Sequence, residues 1–310
     1  MQKNPLPVKQ GITASRLYLP KGQWHTLFDF LVERFPHMSK EILLERLRKG
    51  DILDSNGLAY QENSPYPAES WLWYYREVEK EVVVPFDMPI LYQDEYLIAV
   101  DKPHFLASVP GGRYLQETAL IRLRTQLNNY DISPIHRLDR DTAGVLIFCV
   151  NPIYRGKYQS LFQSKMVKKI YECIAPFSEL LRFPLIRESY IEKSSSYFTM
   201  QEKQLDNNLF NNNWNSRTEI ELIHHNDYFA HYRLKPHTGK KHQLRVHMNG
   251  LGLPILNDEF YPDLLPARKE DDFSNPLQLL AKSIEFIDPI TGNQRFFESR
   301  QALNGLELFK

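Results

Sequence analysis

His136-Arg137-Leu138-Asp139-Arg140-Asp141-Thr142-Ala143-Gly144 is the densest polar run of the chain, and it opens directly into the apolar run Val145-Leu146-Ile147-Phe148-Cys149-Val150. The apolar run has the length and composition of a buried strand. A polar loop feeding a rigid strand holds a reactive side chain at a fixed position. Taken bare, the run has several readings. Asp139 and Asp141 suit a metal pair, or the acid and base of a glycosidase. In extended backbone residues i and i+2 point the same way, whereas a turn splits them. His136 suits a satisfied core histidine as well as a functional one, and Arg137 suits an ion-pair partner. Residue types alone leave these open.

Outward from this run, strands and helices intermix without a strict βαβ rhythm. Leu97 to Val100 is a short apolar run that stops at Lys102-Pro103, and Lys168 to Ile174 reads as a strand. Thr218, Ile220 and Leu222 alternate, as do Tyr228, Ala230, Tyr232 and Leu234, with the turn signal Asn226-Asp227 between them, which predicts an antiparallel hairpin. Thr118 to Leu127 has helical spacing. Asn151-Pro152 starts another helix, with Tyr154, Tyr158, Leu161 and Phe162 on one face. The expected fold class is α+β: a mixed, largely antiparallel sheet flanked by helices. Asp206 to Asn215 is Asn-rich and reads as a surface loop.

The first residues read as a separate unit. Leu27, Phe30, Leu31 and Phe35 recur at helical spacing, and Ser39 caps a second helix carrying Leu43, Leu44 and Leu47 to Gly50. Ile52-Leu53, the turn Ser55-Asn56-Gly57 and Trp71 to Tyr75 follow as strands and hairpin. Glu79 to Pro85 reads as a hinge. The expected division is a domain at 1–80 and a larger one at 81–310.

A chain of 310 residues with 42% hydrophobic and 25% charged content has room for two real cores. No run approaches the roughly 18 apolar residues of a membrane span, and Met1 to Gln10 lacks a secretory apolar core. The reading is a cytoplasmic protein with no membrane partner. Cys149 and Cys173 sit in apolar runs without CxxC spacing, which predicts buried thiols rather than a zinc site. Net charge is zero, so general coating of nucleic acid is disfavoured. A local basic groove remains compatible, with acidic stretches such as Glu270, Asp271 and Asp272 offsetting it. The neutral surface gives no reason to expect more than a monomer.

A second constellation runs from Lys235 to His247 (KPHTGKKHQLRVH) and contains no acidic residue. Thr238-Gly239 ahead of a helix start suits phosphate binding at exposed backbone N–H groups. His237, His242 and His247 invite a metal reading, but 242 and 247 are poorly spaced for one helical face. Walker, dinucleotide-binding, zincin and nucleophile-elbow motifs are missing from the sequence.

Together these segments resemble the RluA family of pseudouridine synthases. His136-Arg137-Leu138-Asp139 with Thr142-Ala143-Gly144 is similar to its HRLDxxTSG signature. Leu91 to Glu95 and Val100 to Pro103 resemble its first motif, Lys169-Ile170-Tyr171 its K-x-Y strand, Thr238 to His247 its TGRTHQIRVH segment, and Leu253 to Asp258 its ghPivGD run. The likeness covers about residues 90–290. It implies a pseudouridine synthase fold, preceded by a unit similar to the S4-type RNA-binding domain. It also implies an isomerase that needs no cofactor and no metal, acting on uridines of structured RNA, 23S ribosomal RNA and/or transfer RNA, after base flipping. Asp139 would be the nucleophile, attacking the ribose or the uracil ring. Arg245 would pair with it, and Tyr171 would stack on the base and help remove the C5 proton. Arg137 would fill the gap left by the flipped nucleotide. His136, Lys169, Thr238, Lys240, Lys241 and His242 would meet RNA, as would Arg46, Arg48 and Lys49 of the N-terminal unit.

Lys240 stands where the family usually has Arg, Ala143 where it commonly has Ser, and Leu279-Leu280-Ala281-Lys282 where many members have Leu-His-Ala. Asp141 has no family role and is expected to order the loop. Two rival readings are a non-catalytic RNA-binding or ribosome-assembly protein on the same fold, and a glycoside hydrolase built on Asp139 and Asp141.

Overall fold

Caps and periodicity place the elements of the N-terminal unit. Thr26 and Asp29 form a capping box at the start of α1 (Leu27–Arg34), which buries Leu27, Phe30 and Leu31. Ser39 caps α2 (Lys40–Arg48), and Gly50 ends it with a positive φ of 73°. The helices pack on a three-stranded antiparallel sheet in the order β1 (Ser15–Leu19), β3 (Ser70–Tyr74), β2 (Ile52–Leu53). Asp54 carboxylate bonds to the backbone of Asn56 and Leu58 close the turn after β2.

The computed structural model describes residues 4–9, 11–77, 81–196, 198–203, 214–266 and 272–309. Most of the Asn-rich run from Asp206, part of the Glu79 to Pro85 hinge, and Glu270 and Asp271 lie outside the described residues. The chain divides into two compact units. One comprises Met1–Glu81, Gly112–Gln116 and Arg124–Tyr130; the other comprises Val82–Gly111, Glu117–Leu123 and Asp131–Lys310.

The larger unit contains β4 (Ile90–Gln93), β5 (Leu97–Lys102), β6 (Ser133–Pro134), β7 (Ala143–Cys149), α4 (Pro152–Gln163) and β8 (Lys168–Pro176). Helix α3 (Ala119–Leu127) contributes residues to both units. Then come β9 (Leu185–Ser189), the hairpin β10 (Ile191–Lys193) and β11 (Met200–Glu202), β12 (Ser216–His225), β13 (Phe229–Pro236), α5 (Gln243–Gly250), β14 (Leu279–Ile287) and β15 (Gln294–Glu298). Ten strands form one mixed sheet whose main path is β4-β5-β7-β14-β8-β13-β12-β9. Every pairing in it is antiparallel except β7 with β14.

Helix α4 starts as the sequence predicts, with the Asn151 side chain accepting from Ile153 N at 3.0 Å and Pro152 in its first turn. Its Tyr158 and Leu161 close one core over Leu97, Ala99, Val145 and Ile147. Helix α5 closes the other: Leu244 and Met248 pack on Cys173, Ala175, Ile220, Tyr232 and Leu234 of β8, β12 and β13. Burying each such side chain contributes about 1.5–3 kcal/mol. These helices and the central strands hold rigid the loop before β7, the start of β8 and the start of α5.

Gly144 is where β7 meets β14. It lies at φ +111°, and a Cβ there would come within 2.2 Å of the Ala281 carbonyl oxygen. Only glycine allows this pairing. Cys149 and Cys173 are buried and unbonded to each other. No helix among the described residues is long and apolar enough to cross a membrane.

Candidate active site

The loop before β7, the start of β8, the turn after α4 and the segment from Pro236 into α5 line one cleft of about 1080 Å³. Six cationic side chains line it: Arg137, Lys165, Lys169, Lys240, Lys241 and Arg245. Asp139 is the one carboxylate among the described lining residues. A chain of zero net charge thus carries a strongly positive cleft, whose field draws in an anionic polymer.

Asp139 is about one-third exposed, and its Oδ2 lies 3.5 Å from Arg245 Nη1 and 3.8 Å from His242 Nε2. A turn bond from Thr142 N to the Asp139 carbonyl, 3.2 Å, sets the loop. The Arg245 guanidinium does not clasp Asp139 directly. Its Nε and Nη2 donate to the two oxygens of Asp258 at 2.7 and 2.6 Å, and Asp258 also accepts from the backbone of Phe260 and Tyr261. Nη1 has no hydrogen-bond partner among the described residues and lies 3.5 Å from Asp139 Oδ2. Burial alone would favour a neutral Arg245; the bonds and charge of Asp258, and then Asp139, outweigh it and hold the cation. Asp258 aims the guanidinium, which leaves one N–H pair for the cleft.

His242 begins α5 in the left-handed region, φ 55°, with no side-chain cap bond. Its Nδ1 lies 3.0 Å from the Tyr261 hydroxyl, which accepts from Met200 N at 2.8 Å. The phenol proton has no other acceptor among the described residues, so it goes to Nδ1 and leaves the ring proton on Nε2, facing Asp139. Burial pulls His242 down to about 4 against the attraction of Asp139, so the ring is neutral. The same burial pushes Tyr261 up to about 12. His242, expected from the sequence to meet RNA, lines the cleft as a buried neighbour of Asp139.

Tyr171, on β8, faces the cleft, with no hydrogen-bond partner for its hydroxyl among the described residues. Burial, reinforced by the Asp139 charge, raises its pKa well above that of a free phenol. It is a neutral ring at neutral pH, not a standing phenolate base. Lys169 donates to the Thr238 carbonyl at 3.1 Å, and burial brings it down to about 8.

Thr238 is also turned inward. Its hydroxyl donates to Gln243 Oε1 at 2.7 Å, and the Gln243 amide donates to the Arg217 carbonyl and the Thr218 hydroxyl. These bonds pin the loop that presents the exposed Lys240 and Lys241. His136 accepts from Ile147 N at 3.1 Å and stacks on Phe162 at 4.8 Å. Burial and then the nearby Lys169 charge hold it down to about 3. It walls the cleft as a neutral ring, while Arg137 is exposed beside it.

Asp141 pairs with Arg140 at 2.8 Å and does not line the cleft. The three histidines of the second constellation part company: His237 is exposed, His242 faces Asp139, and His247 is held among Ser189, Ser216 and Thr218. No metal-binding group of three or more His, Cys, Asp or Glu occurs among the described residues.

Lys102 is a contribution that residue spacing did not reveal. It is fully buried and donates to the carbonyls of Pro103, Leu106 and Arg140 at 2.9, 2.8 and 3.0 Å. Burial pulls it to about 7, opposed by Asp141 and Asp139, while three acceptors call for the three N–H donors of the ammonium form. It ties the Asp139 loop to the end of β5.

Residues 96–250 match the RNA pseudouridylate synthase family. The tRNA pseudouridine synthase C of Vibrio cholerae serotype O1 is 31% identical over 217 residues, covering 66% of this chain and 87% of its own. The chain belongs to the RluA family of RNA pseudouridine synthases. A further relative is the dual-specificity RNA pseudouridine synthase RluA of Salmonella typhi, 33% identical over 67% of this chain and 91% of its own. The fold agrees with human RNA pseudouridylate synthase domain containing 1, at a TM-score of 0.55 and 21% identity over 72% of this chain and 86% of that one.

Three of the segments that carry the RluA-family resemblance, His136 to Gly144, Lys169 to Tyr171 and Thr238 to His247, therefore converge on one cleft, while the other two reach it through Lys102 bonded to the Arg140 carbonyl and Asp258 bonded to Arg245. In the N-terminal unit the predicted RNA residues behave differently. Arg46 is 8% exposed, donates to the Tyr75 carbonyl and lies over the Tyr74 ring, so it serves that unit's core rather than its surface. Arg48 and Lys49 are exposed, paired with Glu62 and Glu45. Missed in the sequence reading were Asp258 as the holder of Arg245, Tyr261 behind His242, and Gln243 as the loop clamp.

Proposed function

We propose that this RNA pseudouridine synthase isomerises uridines of structured RNA, transfer RNA and/or 23S ribosomal RNA, with Asp139 as the nucleophile. The supporting observation is Asp139 as the lone carboxylate among the described residues lining a cationic cleft, with Arg245 Nη1, which has no hydrogen-bond partner among them, 3.5 Å away. On this reading the target uridine is flipped into the cleft, at a cost of a few kcal/mol, and Arg137 takes its place in the stack. The carboxylate attacks the ribose or the uracil ring and the N1–C1′ bond breaks. The uracil turns, C5 bonds to C1′, the bond to Asp139 breaks and returns the free carboxylate, the C5 proton leaves and N1 gains one. Arg245 keeps Asp139 ionised and oriented, and the Tyr171 ring stacks on the base. Because its phenol is protonated, Tyr171 can help remove the C5 proton only by passing one on.

Lys169, Lys240 and Lys241 meet phosphates, Lys240 as a point charge rather than a bidentate clamp. The 1–80 unit, read as S4-like, adds RNA contacts through Arg48 and Lys49. The enzyme acts in the cytoplasm as a monomer on this reading, without cofactor. The names of the two bacterial relatives, one for transfer RNA and one for dual specificity, support the choice of RNA pools.

The test is tritium release from 5-tritiated-uridine transcripts of unmodified transfer RNA and 23S ribosomal RNA by wild type and Asp139→Asn. Release by wild type alone is expected. Release by both would overturn Asp139 as nucleophile, and release by neither would overturn these substrates.

A further inference from the structure

We propose that Trp214 is a stacking platform for a nucleobase next to the target uridine, at the rim of the catalytic cleft. This rests on the RNA reading above and adds a contact to it. Trp214 is half-buried, yet it joins none of the buried apolar clusters among the described residues. Trp24, by contrast, packs on Phe30 and Tyr66. The indole N–H of Trp214 has no hydrogen-bond partner among the described residues. Its close neighbours are cations: Lys165 Nζ lies 5.8 Å and the Arg217 guanidinium 5.9 Å from the ring. A ring of this size usually contributes through apolar burial; Trp214 itself is not a lining residue of the cleft, but its chain neighbour Asn215 and the adjacent Lys165 are.

The platform is anchored. Asn215, the next residue, lines the cleft and exchanges hydrogen bonds with Ile191 at 2.8 and 3.0 Å. Arg217 N donates to Thr238 Oγ1 at 2.9 Å, which ties the strand to the loop carrying Lys240 and Lys241. Lys165 also lines the cleft and has no carboxylate partner among the described residues, whereas Arg217 shares its charge with Glu188. An aromatic face bracketed by cations is the arrangement that takes a base by stacking and its phosphates by charge. A flipped uridine draws its neighbours out of the helix stack, and a base so exposed needs a surface to lie on.

Filter binding of pooled unmodified transfer RNA and 23S ribosomal RNA transcripts, across a salt series, tests this. Trp214→Ala is expected to weaken binding about 10-fold or more, with the slope of log affinity against log salt unchanged, because no phosphate contact is removed. Trp214→Phe is expected to retain most of the affinity, and Lys165→Ala to flatten the slope. Wild-type affinity for Trp214→Ala at every salt would overturn the proposal. Should Trp214→Ala fail to fold, irradiation of the wild type with 5-iodouridine transcripts decides: an adduct on Trp214 supports the platform, and adducts only elsewhere overturn it. Tritium release measured in parallel separates the two claims. Release with an unaffected Trp214→Ala removes the platform alone. Affinity lost in Trp214→Ala without release by wild type removes the isomerase reading and keeps the platform. Absence of wild-type RNA binding removes both.

Discussion

Asp258→Asn is the perturbation that bears most directly on how the site is held. The carboxylate accepts four bonds: Oδ2 takes Arg245 Nε, and Oδ1 takes Arg245 Nη2, Phe260 N and Tyr261 N. An asparagine amide can keep the Oδ1 role, but its NH₂ then faces Arg245 Nε, donor against donor. One charge-assisted bond is lost, worth about 1.5–3 kcal/mol. A buried guanidinium, 2% exposed, is also left without its nearest counter-charge, and breaking such a pair costs about 3–5 kcal/mol. The retained Oδ1 bonds offset part of this, so the expected loss is about 3 kcal/mol, or a Tm lower by about 6–12 °C. Asp258 does not line the cleft. The activity effect should therefore fall on kcat, about 10- to 100-fold, with KM for RNA within about twofold. Thermal unfolding and tritium-release kinetics on one RNA measure both. A stable variant, or an unstable one with wild-type kcat at low temperature, would refute the idea that Asp258 aims Arg245 at Asp139.

Lys102→Met should lower stability by about 2–4 kcal/mol, because three buried carbonyls lose their donor and a methionine of similar volume satisfies none; an unchanged unfolding curve would refute the clamp. Lys169 is charged below its value of about 8 and loses that charge as pH rises through it. RNA affinity should therefore fall between pH 7 and 9 by more in wild type than in Lys169→Arg, whose guanidinium stays charged, and parallel profiles by filter binding would refute the phosphate role. Gly144→Ala meets both a positive φ and a backbone carbonyl at 2.2 Å, so it should cost at least about 3 kcal/mol or prevent soluble folding; a variant melting with wild type would refute the close strand approach.

What the sequence revealed follows from how each feature is encoded. Strand β13 was legible because Ala230, Tyr232 and Leu234 alternate, and α4 because Asn151-Pro152 marks its start. The Asp139 run was legible because its polar residues abut a strand. The partners behind the cleft were not, because no spacing links Arg245 to Asp258 thirteen residues on, and only tertiary packing brings Met200 to Tyr261. Side-chain type alone also left internal bonds unread at three places. His242 and Thr238 line the cleft and also make internal bonds that no spacing announced, and Arg46, in a basic segment, is buried against the Tyr75 carbonyl. By contrast Trp214 looked like part of an Asn-rich loop, and its surroundings are set by Lys165 and Arg217 from other elements.

Strand β14 lies between β7 and β8, and Asp139 leads into the first of these while Tyr171 sits on the second. The centre of the sheet is therefore filled by a segment synthesised more than a hundred residues after β8. Until Leu279–Ile287 has left the ribosome, β7 and β8 have no shared neighbour and the two halves of the cleft have no common frame. A nascent chain stopped short of this strand would carry every proposed catalytic side chain and still have no site. It would also leave the β8 edge without its β14 pairing, the kind of open strand edge that chaperones recognise and that aggregates grow from. Catalytic competence in this enzyme is thus tied to translation having passed Ile287.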